Sequence, residues 1–278
     1  MSSENGVEGK SSKKTLAEVI VVTSGKGGVG KTTATASLGA ALALRGKRTL
    51  VVDADIGLRN LDVILGLENR VVFNVVDVAK KVCKAQQAII KSKKSNNLYL
   101  LPASQTDDKN VIDENEIRNV LEMYRREFHY ILIDSPAGIE QGFKNACAGA
   151  TRALVVTTPE VSAIRDADRV VGLLNAMSIE PMLIINRIDF DMVRRGDMLS
   201  VEDVQDILGI DLIGVVRRDD SVIVAANCGD PVAYDSKSEA GMAFNRIAAR
   251  ICGEGVPIED YHMSGSFWGR LGRRFGVV

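Results

Sequence analysis

The run Ser24-Gly25-Lys26-Gly27-Gly28-Val29-Gly30-Lys31-Thr32-Thr33 decides how this chain folds. An apolar stretch, Val19-Ile20-Val21-Val22, precedes it, and an alanine-rich segment of helical character follows over 34–44. Strand, glycine loop and helix in that order form the context of a phosphate-binding P-loop. The glycines let successive backbone N–H groups, from Gly25 through Gly27, Gly28, Val29 and Gly30 to Thr33, turn inward around phosphate oxygens. The helix N-terminus adds partial positive charge. Lys31 would reach the β- and γ-phosphates, and the Thr32 hydroxyl would ligate Mg²⁺. The loop predicts a nucleoside triphosphate site.

Outward from the loop, short β-branched runs alternate with helical patterns. Strands are expected at 19–22, 49–53, 98–101, 130–134, 153–157, 182–186 and 212–216. Amphipathic helices are expected at 116–127, 162–176, 201–208 and 239–252. This alternation predicts an α/β fold: a single P-loop NTPase domain whose mainly parallel, twisted sheet is flanked by helices on both faces. The domain is expected over 18–255, after a disordered N-terminal tail at 1–17. A linker at 256–265 and an amphipathic helix at 266–278 follow it. No internal repeat is visible.

Ligands in such a fold lie at the carboxyl ends of the strands, where the remaining motifs fall. Asp53-Ala54-Asp55-Ile56-Gly57 places two carboxylates one residue apart, a pattern that suits Mg²⁺ and water management. Strand-end turn propensity offers a purely structural reading of the same pair. Ile131-Leu132-Ile133-Asp134 is an apolar strand closing on an aspartate, a Walker B pattern in which Asp134 would hold Mg²⁺ through its water shell. Leu183-Ile184-Ile185-Asn186 ends on an amide whose donor and acceptor suit the edge of a purine. The residues that follow, Arg187-Ile188-Asp189, do not complete the NKxD pattern of guanine readers, so ATP is the expected nucleotide and GTP the lesser reading.

A chain of 278 residues that is 46% hydrophobic is long enough for one large α/β core. Lys+Arg 35 against Asp+Glu 36 gives a net charge of −1, which argues against a globally basic nucleic-acid binder. Cys83, Cys147, Cys228 and Cys252 lie far apart, with no zinc or disulfide spacing. They fit small buried residues in a reducing compartment. No apolar run approaches the ~18 residues of a membrane span. Residues 1–14 lack the apolar core of a secretory signal, and Glu4, Glu8 and the absence of arginine argue against an intact transit peptide. A trimmed plastid protein stays compatible with the sequence.

The C-terminus is the second informative stretch. At about 100° per residue, Phe267, Trp268, Leu271, Phe275 and Val278 fall on one arc of a helix. Arg270, Arg273 and Arg274 fall opposite or flanking, and three glycines share the remaining sector. An aromatic face beside an arginine face is the pattern of an interfacial helix on an anionic membrane. Its glycines cost about 1 kcal/mol each in helix propensity, so folding is expected on the bilayer rather than in water. A helix docked on the protein's own core and a nucleic-acid patch are the alternatives.

The second lysine of GKGGVGKTT, Lys26, resembles the signature residue of the deviant Walker A motif in the ParA/MinD superfamily of dimeric ATPases. From 19 to 278 the chain resembles the MinD family of septum-site-determining ATPases. The match rests on DADIGLRNLD (53–62), LPASQTDDK (101–109), DSPAGIE (134–140), PEVSAIRDADR (159–169), RRGDMLSVEDV (194–204) and the tail. The resemblance implies hydrolysis of ATP to ADP and phosphate, with Lys26 crossing a dimer interface to the partner's phosphates. It implies that Asp55 orients the attacking water, that Asp53 supports Mg²⁺ through waters, and that Asn186 meets adenine, with neighbouring Arg187 among the nucleotide-binding residues.

At the level of the cell, it implies an ATP-bound homodimer on the inner face of the plasma membrane, or on a plastid inner envelope, exchanging with the cytoplasm or stroma. That dimer would place the division site by recruiting a MinC-like inhibitor and answering a MinE-like activator. The segment 162–175 would be the partner helix, with Asp166 and Asp168 as contacts. No specific nucleic acid is expected. One departure stands out: Arg217-Arg218-Asp219-Asp220 replaces the proline and acidic residue usual in the family. The rivals are a ParA-type partitioning ATPase, which would need a basic dimer face, and a nitrogenase-type iron protein, for which Cys147 offers no second cysteine ligand nearby.

Overall fold

The computed structural model describes residues 16–108, 110–259 and 261. Among them, eight segments are strands: β1 (Glu18–Thr23), β2 (Thr49–Asp53), β3 (Ile90–Lys91), β4 (Leu98–Leu101), β5 (Tyr130–Asp134), β6 (Arg152–Thr157), β7 (Glu180–Ile188) and β8 (Asp211–Arg217). They form one sheet in the order β3-β4-β2-β5-β1-β6-β7-β8. Every pairing is parallel except that of β3 with β4. The seven strands expected from the sequence are all present. β3 was not expected; its two residues carry no pattern.

Alternate residues along each strand feed two cores, because successive side chains leave a strand on opposite faces. Ile20, Val22, Val51, Leu132, Leu154 and Ile184 pack under the helices Lys31–Leu44 and Glu239–Ile251. Val19, Val21, Leu50, Ile131, Ile133 and Ile185 pack against the helices Glu114–Tyr124, Gln141–Cys147, Val161–Ala176 and Val201–Leu208. Each fully buried Val, Leu or Ile contributes about 1.5–3 kcal/mol, so the two layers hold the sheet rigid. The helix Lys31–Leu44 is buried almost all round between sheet and outer helix, which explains an alanine-rich sequence with little polar face.

β1 lies between β5 and β6, and the chain leaves it for β2 on one side while β6, β7 and β8 build the other. The P-loop therefore emerges at the switch point of the sheet, where a doubly wound fold opens its ligand crevice. At the start of the described chain, Ala17 is buried and its N–H donates to Arg125 O at 2.7 Å. Residues 1–15 and 262–278 lie outside the described residues, and with the latter Phe267, Trp268, Arg270, Leu271, Arg273, Arg274 and Phe275 of the expected membrane helix. Among the described residues, no helix is long and apolar enough to cross a membrane.

Candidate functional site

The P-loop closes on Gly30, which caps the helix Lys31–Leu44 from the left-handed region at φ 94°. Only glycine adopts that conformation without strain. The first turn carries no acidic side chain, so its unpaired N–H groups and positive end face the crevice. Gly25 is needed for a different reason: a Cβ there would overlap the backbone carbonyl of Asp166. The loop thus rests on the backbone of the helix Val161–Ala176. Gly25→Ala is expected to lower stability by about 2 kcal/mol, measured by urea unfolding, because backbone cannot yield as a side chain can.

Behind the loop lies a buried charge cluster. Lys31 Nζ sits 3.4 Å from Asp134 Oδ1, with both residues buried. The Thr35 hydroxyl lies 3.1 Å from the same oxygen and 3.0 Å from the Lys31 carbonyl. Asp134 stands directly opposite Asp53 in the β2–β5 register. Burial raises the Asp134 carboxyl above its ordinary range, against the opposing pull of Lys31 and the hydroxyls of Thr32 and Thr35. Asp53 is pushed up to about 7, first by burial and then by the charge of Asp134. Its Oδ1 accepts from Asp55 N at 3.0 Å, and its Oδ2 accepts from Asn60 N and Leu61 N at 3.2 Å each. Asp53 therefore anchors the turn after β2 while leaving carboxylate lone-pair capacity toward the crevice. Two reluctant carboxylates beside hydroxyls suit a hard divalent cation, which would stabilise both ionised forms.

On the other side of the loop is a cavity of about 360 Å³. Gly30, Thr33, Asn186, Arg187, Ile223 and the run Arg217–Asp220 line it. Asn186 does not stand free in it: Nδ2 donates to Val29 O at 2.8 Å, and Oδ1 accepts from Arg187 N at 3.0 Å. Arg187, held in the left-handed region at φ 58°, donates from Nη1 to Gly28 O at 2.8 Å. The end of β7 thus clamps the P-loop backbone, and a Cβ on Gly30 would overlap the Asn186 amide.

The family model for the CobQ/CobB/MinD/ParA nucleotide binding domain matches residues 20–232. The septum site-determining protein MinD of Bacillus subtilis is 52% identical over 247 residues, 88% of this chain and 92% of its own length. The chain belongs to the MinD family. Among solved structures, the MinC:MinD cell division protein complex of Aquifex aeolicus matches at a TM-score of 0.83, with 48% identity over 88% of this chain and 99% of that one. MinD of Pyrococcus horikoshii complexed with Mg-ADP matches at a TM-score of 0.77, with 31% identity over 85% of this chain and 96% of that one.

Lys26 is half exposed; its Nζ donates to Ser162 Oγ at 3.1 Å and lies 4.0 Å from Glu160 Oε2. It rests on the start of the helix Val161–Ala176. Asp55 sits in the turn after β2, and its carbonyl accepts from Leu58 N and Arg59 N. Asp168 is exposed and Asp166 half-buried, one turn along the helix that supports Gly25. Cys147 belongs to the core, its thiol pushed up to about 12 by burial.

The run Arg217-Arg218-Asp219-Asp220 is ordered by Asp219. Its Oδ2 accepts from Ser238 Oγ at 2.7 Å and Ala240 N at 3.1 Å, and its Oδ1 accepts from Ser221 N at 2.9 Å. Burial works against the charge, but these donors hold the carboxyl down at about 2. Asp219 fastens the cavity loop to the helices on either side. Asp219 lies in a run that stands out in the sequence, whereas Thr35, Glu160 and Ser162 were not read there as site-shaping residues; of these three, only Thr35, one helical turn after Lys31, carries a local signal.

Proposed function

We propose that this chain is an ATP-dependent, membrane-associating dimeric ATPase that places the division septum. The buried Lys31–Asp134–Asp53 cluster behind a P-loop carries the reading, and the MinD relatives support its cellular setting. In this reading ATP displaces Lys31 from Asp134 onto the β- and γ-phosphates. Thr32, with Asp134 and Asp53 acting through water, would hold Mg²⁺, whose charge offsets that of the phosphates. Asp55 holds the attacking water. Lys26 leaves Ser162 and reaches the partner subunit's nucleotide, supplying cationic charge from outside the protomer. The base lies in the cavity edged by Asn186, Arg187 and Arg217–Asp220.

Residues 266–278 would bind anionic lipid weakly and reversibly, at about 1 kcal/mol per basic residue near the surface. Two such segments on one dimer make the second insertion intramolecular, so dimerisation strengthens membrane residence. The helix Val161–Ala176, with Asp166 and Asp168, is the proposed seat of a MinC-like inhibitor and a MinE-like activator. The solved MinC:MinD complex from Aquifex aeolicus supports a MinC-like partner and is silent on the surface it uses.

Sedimentation velocity of Asp55→Ala tests the nucleotide switch. This variant is expected to dimerise with ATP, stay monomeric with ADP, and release phosphate at least about 100-fold more slowly than the wild type. Adding Lys26→Ala should return the ATP form to monomer. A sedimentation coefficient that ignores the nucleotide would contradict the reading.

A further inference from the structure

The last described stretch of chain is fastened to the rim of the nucleotide cavity. Arg250 donates from Nε to Val256 O at 3.0 Å, from Nη2 to Pro257 O at 2.6 Å and from Nη1 to Ile213 O of β8 at 2.8 Å. Arg246 pairs with Glu259 at 2.9 Å, and Glu259 accepts from the Tyr261 hydroxyl at 3.0 Å. Tyr261 then stacks on Phe190, with ring centroids 5.5 Å apart and planes 9° from parallel. Phe190 opens the short helix Phe190–Arg195, immediately after β7 and its Asn186–Arg187 clamp. On Phe190 rests the guanidinium of Arg217, 4.7 Å from the ring centroid, while its Nη1 reaches Glu239 at 3.4 Å. Arg217 ends β8 and lines the cavity beside Gly30 and Asn186.

We propose that the Phe190–Tyr261 stack positions Arg217 at the nucleotide cavity, so that nucleotide affinity and the docking of residues 252–259 and Tyr261 are thermodynamically linked. This rests on the reading of that cavity as the base site. A guanidinium between an aromatic face and a carboxylate has few rotamers left, and a rim group already in place costs less to order when ligand arrives. Undocking Tyr261 frees one face of Phe190 and loosens Arg217. Linkage is reciprocal, so a nucleotide that uses the ordered rim must in turn favour the docked segment. Arg217 acts at the rim, and Phe190 and Tyr261 are positioning residues.

ADP with Mg²⁺, titrated calorimetrically into the full chain, is the probe. Tyr261→Ala is expected to weaken ADP binding about 5-fold, whereas Tyr261→Phe, which keeps the stack, should bind as the wild type does. Arg217→Ala should show a similar loss, and adding Tyr261→Ala to it should change nothing further, because the stack acts through Arg217. In the wild-type chain alone, saturating ADP should slow amide hydrogen exchange over 252–259 and at Tyr261, and in Arg217→Ala it should not. Unchanged affinity in Tyr261→Ala, or losses that simply multiply in the double variant, would overturn the linkage while leaving the nucleotide site standing. A wild-type chain that fails to bind ADP would overturn both.

Discussion

Lys31→Ala is expected to reduce phosphate release about 1000-fold and to destabilise the ligand-free protein at the same time. The first effect follows from the place of Lys31 at the head of the P-loop helix, where its ammonium would meet the charge that develops on the transferred phosphoryl. The second follows from its present partner. Lys31 Nζ lies 3.4 Å from the fully buried Asp134, which faces Asp53 across the β2–β5 pairing. Removing the cation leaves two buried carboxyls facing each other, and breaking a buried pair costs about 3 kcal/mol. The loss should be larger at pH 8 than at pH 5, because protonation of the cluster relieves the repulsion. Phosphate release and urea unfolding at the two pH values check both effects. Unimpaired hydrolysis in Lys31→Ala would remove the P-loop from the chemistry.

The carboxyl pair also makes the ligand-free chain lose stability as pH rises. Asp53 titrates at an ordinary 3.8 when unfolded and at about 7 in the fold. The folded chain therefore retains a proton that the unfolded chain releases above about pH 4, and unfolding releases it. The contribution is fully present below pH 3.8 and is lost as pH rises through about 7. The loss over that interval is on the order of a few kcal/mol and belongs to the facing Asp53–Asp134 pair as a unit. Asp134 is shifted in the same direction and adds to the slope. Asp53→Asn should flatten the stability profile between pH 4 and 7 relative to the wild type. Parallel profiles for the two proteins would show that Asp53 is ionised throughout, and the cluster would need another explanation.

The chemistry of the strand ends was legible in the sequence one residue at a time. GKGGVGKTT announced the P-loop, and Asp53, Asp134 and Asn186 each closed an apolar run. Their mutual placement was not legible, because it depends on β5 inserting between β1 and β2 in the sheet, which no local pattern encodes. Asn186 shows the limit well. Amide chemistry pointed to a purine edge, and the fold adds a second task that no pattern announced: one bond from Nδ2 to Val29 O and one to Oδ1 from Arg187 N tie the end of β7 to the P-loop. Likewise Lys26 rests on Ser162 and Glu160, more than a hundred residues away in sequence. Arg217 looked like part of an altered loop; it is the last residue of β8, and its neighbours Phe190 and Tyr261 come from separate segments.

Sedimentation with anionic liposomes tests the central claim most directly, comparing ATP with ADP for the wild type, Lys31→Ala and a chain ending at Gly265. The account predicts pelleting only for the wild type and only with ATP. Equal pelleting with ADP would make membrane binding independent of the nucleotide, and no pelleting in any condition would contradict the membrane switch outright.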